Sequence, residues 1–254
     1  MNAIEEIKKK TISRKAISYG ISPLHLLINS LEFILHLSYR LPLKKWAIKG
    51  VANKKVLNAR KQKIKEKLRK KLGILVDSVS HGNGLSNTGN VARKFFNNYE
   101  ISAEITEIDM DFLKILHIIL LVLNSGFEID SKLYRKYAYD TASIFSDLYP
   151  WFYMPVSIHK MLMHGDQIIE ELPVSLGHSS EEAIEATHKK LRSVKEHHTL
   201  KTSRKRINED LVHWMLTYSD PMIASLRKRK YQPKSKPGLP QEGLQLLRSA
   251  DPIF

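Results

Sequence analysis

The 254-residue sequence predicts an all-α fold, and three observations carry that prediction. Apolar residues recur at spacings of three and four in successive segments, which puts them on one face of a 3.6-residue helix. Helix-start chemistry precedes several of those segments, as Ser22-Pro23, Ser179 with Glu182, and Asp220-Pro221. Only residues 74–79 read as a strand, and one short strand makes no sheet.

Ser22 caps the first helix, whose core face is Leu24, Leu27, Ile28, Leu31, Ile34 and Leu35. Between Lys44 and Lys71 stand 13 basic residues and one acid, Glu66, with Trp46, Val51, Val56, Ile64 and Leu68 among them. This predicts one or two exposed basic helices, stopped by Gly73. So one-sided a run favours phosphate contact over an ordinary solvated face. Residues 78–90, rich in Gly and Asn, form a connection. A second helical block holds 91–96, the very apolar 108–123, and 131–148. Tyr149 to Pro155 breaks regular structure, 157–171 resumes a helix, and Pro173 stops it. The capping box at Ser179 and Glu182 opens a helix to about His197, and Asp220 caps a last short one. Five regions result: a basic helical segment (1–77), the connection (78–90), a helical region (91–178), further helices (179–227), and a basic, proline-rich tail expected to be disordered (228–254).

With 41 Lys and Arg against 26 Asp and Glu, the chain carries a formal charge of +15. The excess points to a polyanion partner, nucleic acid before membrane. The absence of cysteine excludes disulfides, a thiol nucleophile, iron–sulfur centres and any Cys-containing zinc site completed within this chain. No signal-peptide pattern opens the sequence. The apolar run 113–123 is broken by Lys114 and His117 and is too short to span a bilayer, so a soluble, intracellular protein without a membrane partner is expected.

Two constellations could carry chemistry. His159 and His164 are five apart, so they converge on a metal only if the helix ends or bends between them; otherwise one caps the helix and the other is a surface residue. Glu182 and Glu185 lie one turn apart, ahead of the basic Lys189, Lys190 and Arg192. That pattern suits a metal-binding carboxylate beside a phosphate, but taken by itself it favours a helix whose charges match its dipole. Nucleotide-binding, nucleophile-elbow and H-E-x-x-H motifs are all missing.

Five segments, taken in order, resemble a known family: Ser22-Pro23-Leu24-His25 with Leu31-Glu32-Phe33; residues 67–73; residues 87–95 (NTGNVARKF); Tyr149-Pro150-Trp151 with the two histidines; and 180–192. Over roughly residues 20–227 the chain is similar to the C-terminal part of Transib-type transposases, the superfamily of the V(D)J recombinase catalytic subunit. The resemblance implies that His159 and His164 are half of a zinc site whose other half is an upstream C-x-x-C. It implies that Glu185, with Glu182 as rival, is the last carboxylate of an Asp-Asp-Glu triad, on a helix that packs against an RNase H-like sheet. In that family the triad holds two Mg²⁺ or Mn²⁺ ions for DNA strand cleavage and transfer. Arg93, Lys94, Lys189, Lys190 and Arg192 would contact DNA phosphates, and the location would be nuclear. None of the ten aspartates falls where the family places a catalytic one. The expectation is therefore a C-terminal fragment that associates with DNA but does not cut it alone, binds neither metal stably, and works with a second copy or with the missing N-terminal part of a transposase. The alternative is a helical nucleic-acid-binding or interaction module without transposase activity, in which the two histidines point apart.

Overall fold

The computed structural model of the chain describes residues 20–80, 84–178, 180–226 and 238–248. The fold is all-α, as the apolar spacing predicts. The described residues divide into two compact units, one holding the chain up to Ser180 together with the segment from Leu239, the other Glu181–Gly238.

In the first unit the organising element is α1 (Pro23–Arg40). Ser22 Oγ accepts a hydrogen bond from the His25 N–H, and Pro23 occupies the first turn, where a missing N–H costs nothing. Twelve of its 18 residues are buried, more than one face, because helices pack on several sides of it. These are α2 (Val51–Leu72), α3 (Gly89–Asn97), α4 (Tyr99–Thr106), α5 (Met110–Leu123) and α7 (Val156–Glu171). Phe33 projects from α1 into a cluster with Phe112 and Phe145, at ring-centroid distances of 6.4 and 5.3 Å. The buried hydroxyls of Ser30 and Ser38 donate to the Leu26 and Leu35 carbonyls, so neither leaves a polar group unsatisfied.

From Val51 onward the basic run forms a single helix, α2, with Lys44, Lys45 and Lys49 preceding it. Its buried residues, Ile64, Leu68 and Leu72, recur every four positions, and its end is Gly73 at φ +60°, a left-handed conformation that favours glycine. The expected strand at 74–79 shrinks to Val79–Ser80 (β1), paired antiparallel with Gly84–Leu85 (β2). Ile74 and Val76 are instead buried in the core, which explains their strand-like spacing. Asp77 ties this segment down: its carboxylate accepts from Lys61 Nζ at 2.9 Å, Asn87 Nδ2 at 2.8 Å and the Tyr39 hydroxyl at 3.2 Å.

Three of the following helices are introduced by a side-chain cap: Thr88 for α3, Asp109 for α5, and Asp130 for α6 (Ser131–Leu148). α4 was not anticipated; it is only eight residues long and has no side-chain cap. The break at 149–155 is present, with the Tyr149 hydroxyl accepting from the Asp109 N–H at 2.9 Å. The expectation of a disordered tail over 228–254 needs correction where the tail is described. Residues 238–248 contain a short helix, Gln241–Leu244, and return to the core. Leu246 is buried, its carbonyl accepts from the Asp130 N–H, and Glu242 pairs with Lys114 at 2.7 Å. Two leucines and a closely packed glycine supply what the surrounding Lys and Pro obscured. The remainder of the tail and Ser179, half of the expected capping box, lie outside the described residues.

The second unit contains α8 (Glu182–His197), α9 (Arg204–Ser219) and α10 (Pro221–Leu226), which places α11 at Gln241–Leu244. α9 is capped by Ser203, and Asp220 Oδ1 accepts from the Ile223 N–H, the cap expected from Asp220-Pro221.

Candidate nucleic-acid interface

The basic residues of α2 divide into two groups. Arg60 is held by Glu107 at 3.1 Å and by the Ser38 carbonyl at 2.7 Å; Lys61 pairs with Asp77, and Lys71 with Glu104. These fasten the helix to its unit. Lys55, Lys63 and Lys70 are exposed and, at 100° per residue, fall on the face opposite Ile64, Leu68 and Leu72. They extend along ~22 Å of helix, enough to follow a phosphate backbone.

Lys94 adds a cation at the end of α2. Its Nζ lies 3.6 Å from the point a Cβ on Gly73 would occupy, so it leans over the C-terminal end of α2 beside Arg69–Lys71. The negative end of the helix dipole favours a cation there. Arg93, its neighbour on α3, turns elsewhere: Nη1 donates to Asn90 Oδ1 at 3.2 Å, and burial lowers the guanidinium pKa.

On α8, Glu182, Glu185, Lys189 and Arg192 recur at three and four residues and form one exposed stripe. Lys190 lies about 120° around the helix from the middle of that stripe. Its Nζ sits 3.6 Å from the ring centroid of Tyr218 and 5.6 Å from that of Trp214, two rings stacked 4.7 Å apart on α9. This cation–π contact occupies the ammonium within the unit.

His159 and His164 come together although α7 runs unbroken through both. Their ring centroids are 5.2 Å apart with planes at 61°. The helix does not end between them, so the rings meet through side-chain reach across a little more than one turn. Burial lowers the pKa of both, and Nδ1 of the buried His164 has no hydrogen-bond partner. Two neutral imidazoles are the form that ligates a metal. A structural zinc needs four ligands, however, and among the described residues no group of three or more His, Cys, Asp or Glu is placed to hold an ion. The residues described here therefore do not build a complete zinc site, nor a two-ion site around Glu182 and Glu185.

Sequence reasoning overlooked one feature. A cleft of about 280 Å³ opens between α1 and the start of α7, lined by Asn29, Glu32, His36, Arg40, Trp46 and Phe152 among others. Its parts are scattered over more than a hundred residues, and the available signal was only that Trp46 follows Lys44-Lys45 and that Phe152 stands in the break before α7.

No protein-family model matches the chain, and no curated protein matches it. No helix among the described residues is long and apolar enough to cross a membrane.

Proposed function

We propose that this protein associates with DNA through the exposed face of α2, as a nuclear component resembling the C-terminal region of a Transib-type transposase. The observation that carries the reading is the separation of α2 into an apolar stripe with ion-paired flanks and an outward face bearing Lys55, Lys63 and Lys70. Glu66, exposed and one turn from both Lys63 and Lys70, offsets part of the repulsion along this face, and a polyanion relieves the rest. The transposase-like form of the reading, rather than a helical module of other ancestry, draws support from the approach of His159 to His164, which the alternative expects to point apart.

Glu185 would be one carboxylate of three and the histidines half of a zinc site, with the remaining ligands supplied by a partner or by a transposase segment bearing the two aspartates and the C-x-x-C. Alone, the chain binds DNA without cutting it.

Fluorescence anisotropy with labelled duplex DNA tests the binding. K55E/K63E/K70E should weaken it more than tenfold while leaving the helical circular-dichroism signal intact; unchanged affinity refutes the assignment to α2. With Mg²⁺ or Mn²⁺ the purified chain should leave supercoiled plasmid intact, and nicking abolished by Glu185→Gln would overturn the non-cutting part.

A further inference from the structure

The cleft combines two kinds of lining. Asn29, Glu32, His36 and Arg40 succeed one another at intervals of three and four along one face of α1 and supply polar edges. Opposite them is an aromatic wall: Trp46 meets Phe152 at 4.8 Å and Tyr153 at 5.3 Å between centroids, and it remains 43% exposed. Arg40 holds the two linings together, donating to the Trp46 carbonyl at 3.3 Å and the His36 carbonyl at 3.0 Å. Its guanidinium carbon lies 5.7 Å from the Trp46 centroid and 5.9 Å from that of Phe152. Glu32 accepts from Asn87 Nδ2 through Oε1, which fixes the carboxylate's orientation.

Three classes of ligand can be weighed against this lining. A cation is disfavoured, because Arg40 already places a positive charge in the cleft against the single carboxylate of Glu32. An apolar side chain would strip water from Asn29, Glu32 and His36 and return no hydrogen bonds. A nucleobase offers both an aromatic face and a hydrogen-bonding edge, and the exposed Lys44, Lys45 and Lys49, close to Trp46 in the sequence, are available to its flanking phosphates.

We propose that this cleft is a subsite for an unpaired base of single-stranded DNA, and that it prefers a base carrying an exocyclic amine to thymine. Glu32 accepts from that amine, as a carboxylate accepts from cytosine N4, while Trp46 stacks on the ring. The inference deepens the DNA-binding reading above and rests on it, but engages residues apart from the lysines of α2.

The test is anisotropy of the full chain with labelled decamers of dC and of dT and with a duplex. The unaltered protein should bind oligo-dC more tightly than oligo-dT. W46A should weaken single-strand binding roughly tenfold, the loss of one stacked base, and change duplex affinity less than twofold. W46F should restore most of the single-strand affinity, and E32Q should erase the preference for dC. Trp46 is partly exposed, so its truncation opens no core cavity; an unchanged thermal melt confirms this for each variant. Single-strand affinity unaffected by W46A, or W46A losses equal for single strand and duplex, would overturn the subsite while leaving the duplex reading intact. Equal affinity for dC and dT would overturn the role of Glu32. Failure of the unaltered chain to bind either form would remove both the subsite and the function on which it rests.

Discussion

Gly165 on α7 backs onto the ring of Tyr134 on α6: a Cβ on Gly165 would lie 2.8 Å from Tyr134 Cε1 and 2.9 Å from its hydroxyl oxygen. Tyr134 is fully buried, and its hydroxyl donates to the Met161 carbonyl at 3.1 Å, so the ring has nowhere to move. The close packing of α6 on α7 depends on this missing side chain, and the same helix carries His159 and His164.

Gly165→Ala should therefore destabilise the first unit. Overpacking costs about 1–3 kcal/mol, offset by roughly 1 kcal/mol from the better helix propensity of alanine. Chemical denaturation should show a lowered midpoint with an unchanged slope. A raised midpoint would mean that propensity dominates and that the two helices can separate freely.

His117 makes stability depend on pH. Burial lowers its pKa to about 4, with the ring stacked 6.1 Å from Phe96, whereas an unfolded chain titrates near 6.5. Above pH 6.5 both states are neutral and the full stability is present. As pH falls from 6.5 towards 4, only the unfolded chain takes up the proton, and stability is lost, at most about 3 kcal/mol in total and less because the ring keeps some solvent contact. Urea denaturation of the protein and of His117→Leu at pH 7 and pH 4.5 isolates the effect. The unaltered protein should lose more on acidification than the variant; equal losses would place the acid sensitivity elsewhere.

Hydrogen exchange should separate the two units. α9 has no buried residue, and α8 has Val194 alone among the residues whose burial is described. Amides of α8 and α9 should exchange much faster than those of α1 and α5, since opening the former exposes little apolar surface. Protection of α8 equal to that of α1 would contradict this.

The sequence made the core helices legible because each carries its own period: α1, α5, α6 and α7 bury residues at steps of three and four, and such a pattern is independent of what packs against it. Other elements lack that self-sufficiency. α9 carries Val212, Met215 and Leu216 at steps of three and four, yet all three remain exposed, so this apolar stripe, unlike those of the core helices, does not mark a buried face. Leu246 stood in a stretch whose Lys and Pro content outweighed it. At the candidate interface, composition located α2, but ion pairing decided which of its cations face outward: Arg60 and Lys61 read no differently from Lys63 until Glu107 and Asp77 are placed beside them. The cleft at Trp46 needed tertiary structure altogether, since Glu32 and Phe152 meet only after α1 and α7 pack.

If the outward face of α2 holds DNA phosphates, duplex binding should weaken steeply as salt rises. Each neutralised phosphate contributes about −0.9 to the slope of log affinity against log salt concentration. The unaltered chain should show a steep negative slope, made shallower by roughly 2–3 in K55A/K63A/K70A. An affinity that does not change between low and moderate salt, or a slope identical in the variant, would contradict phosphate contact at this face.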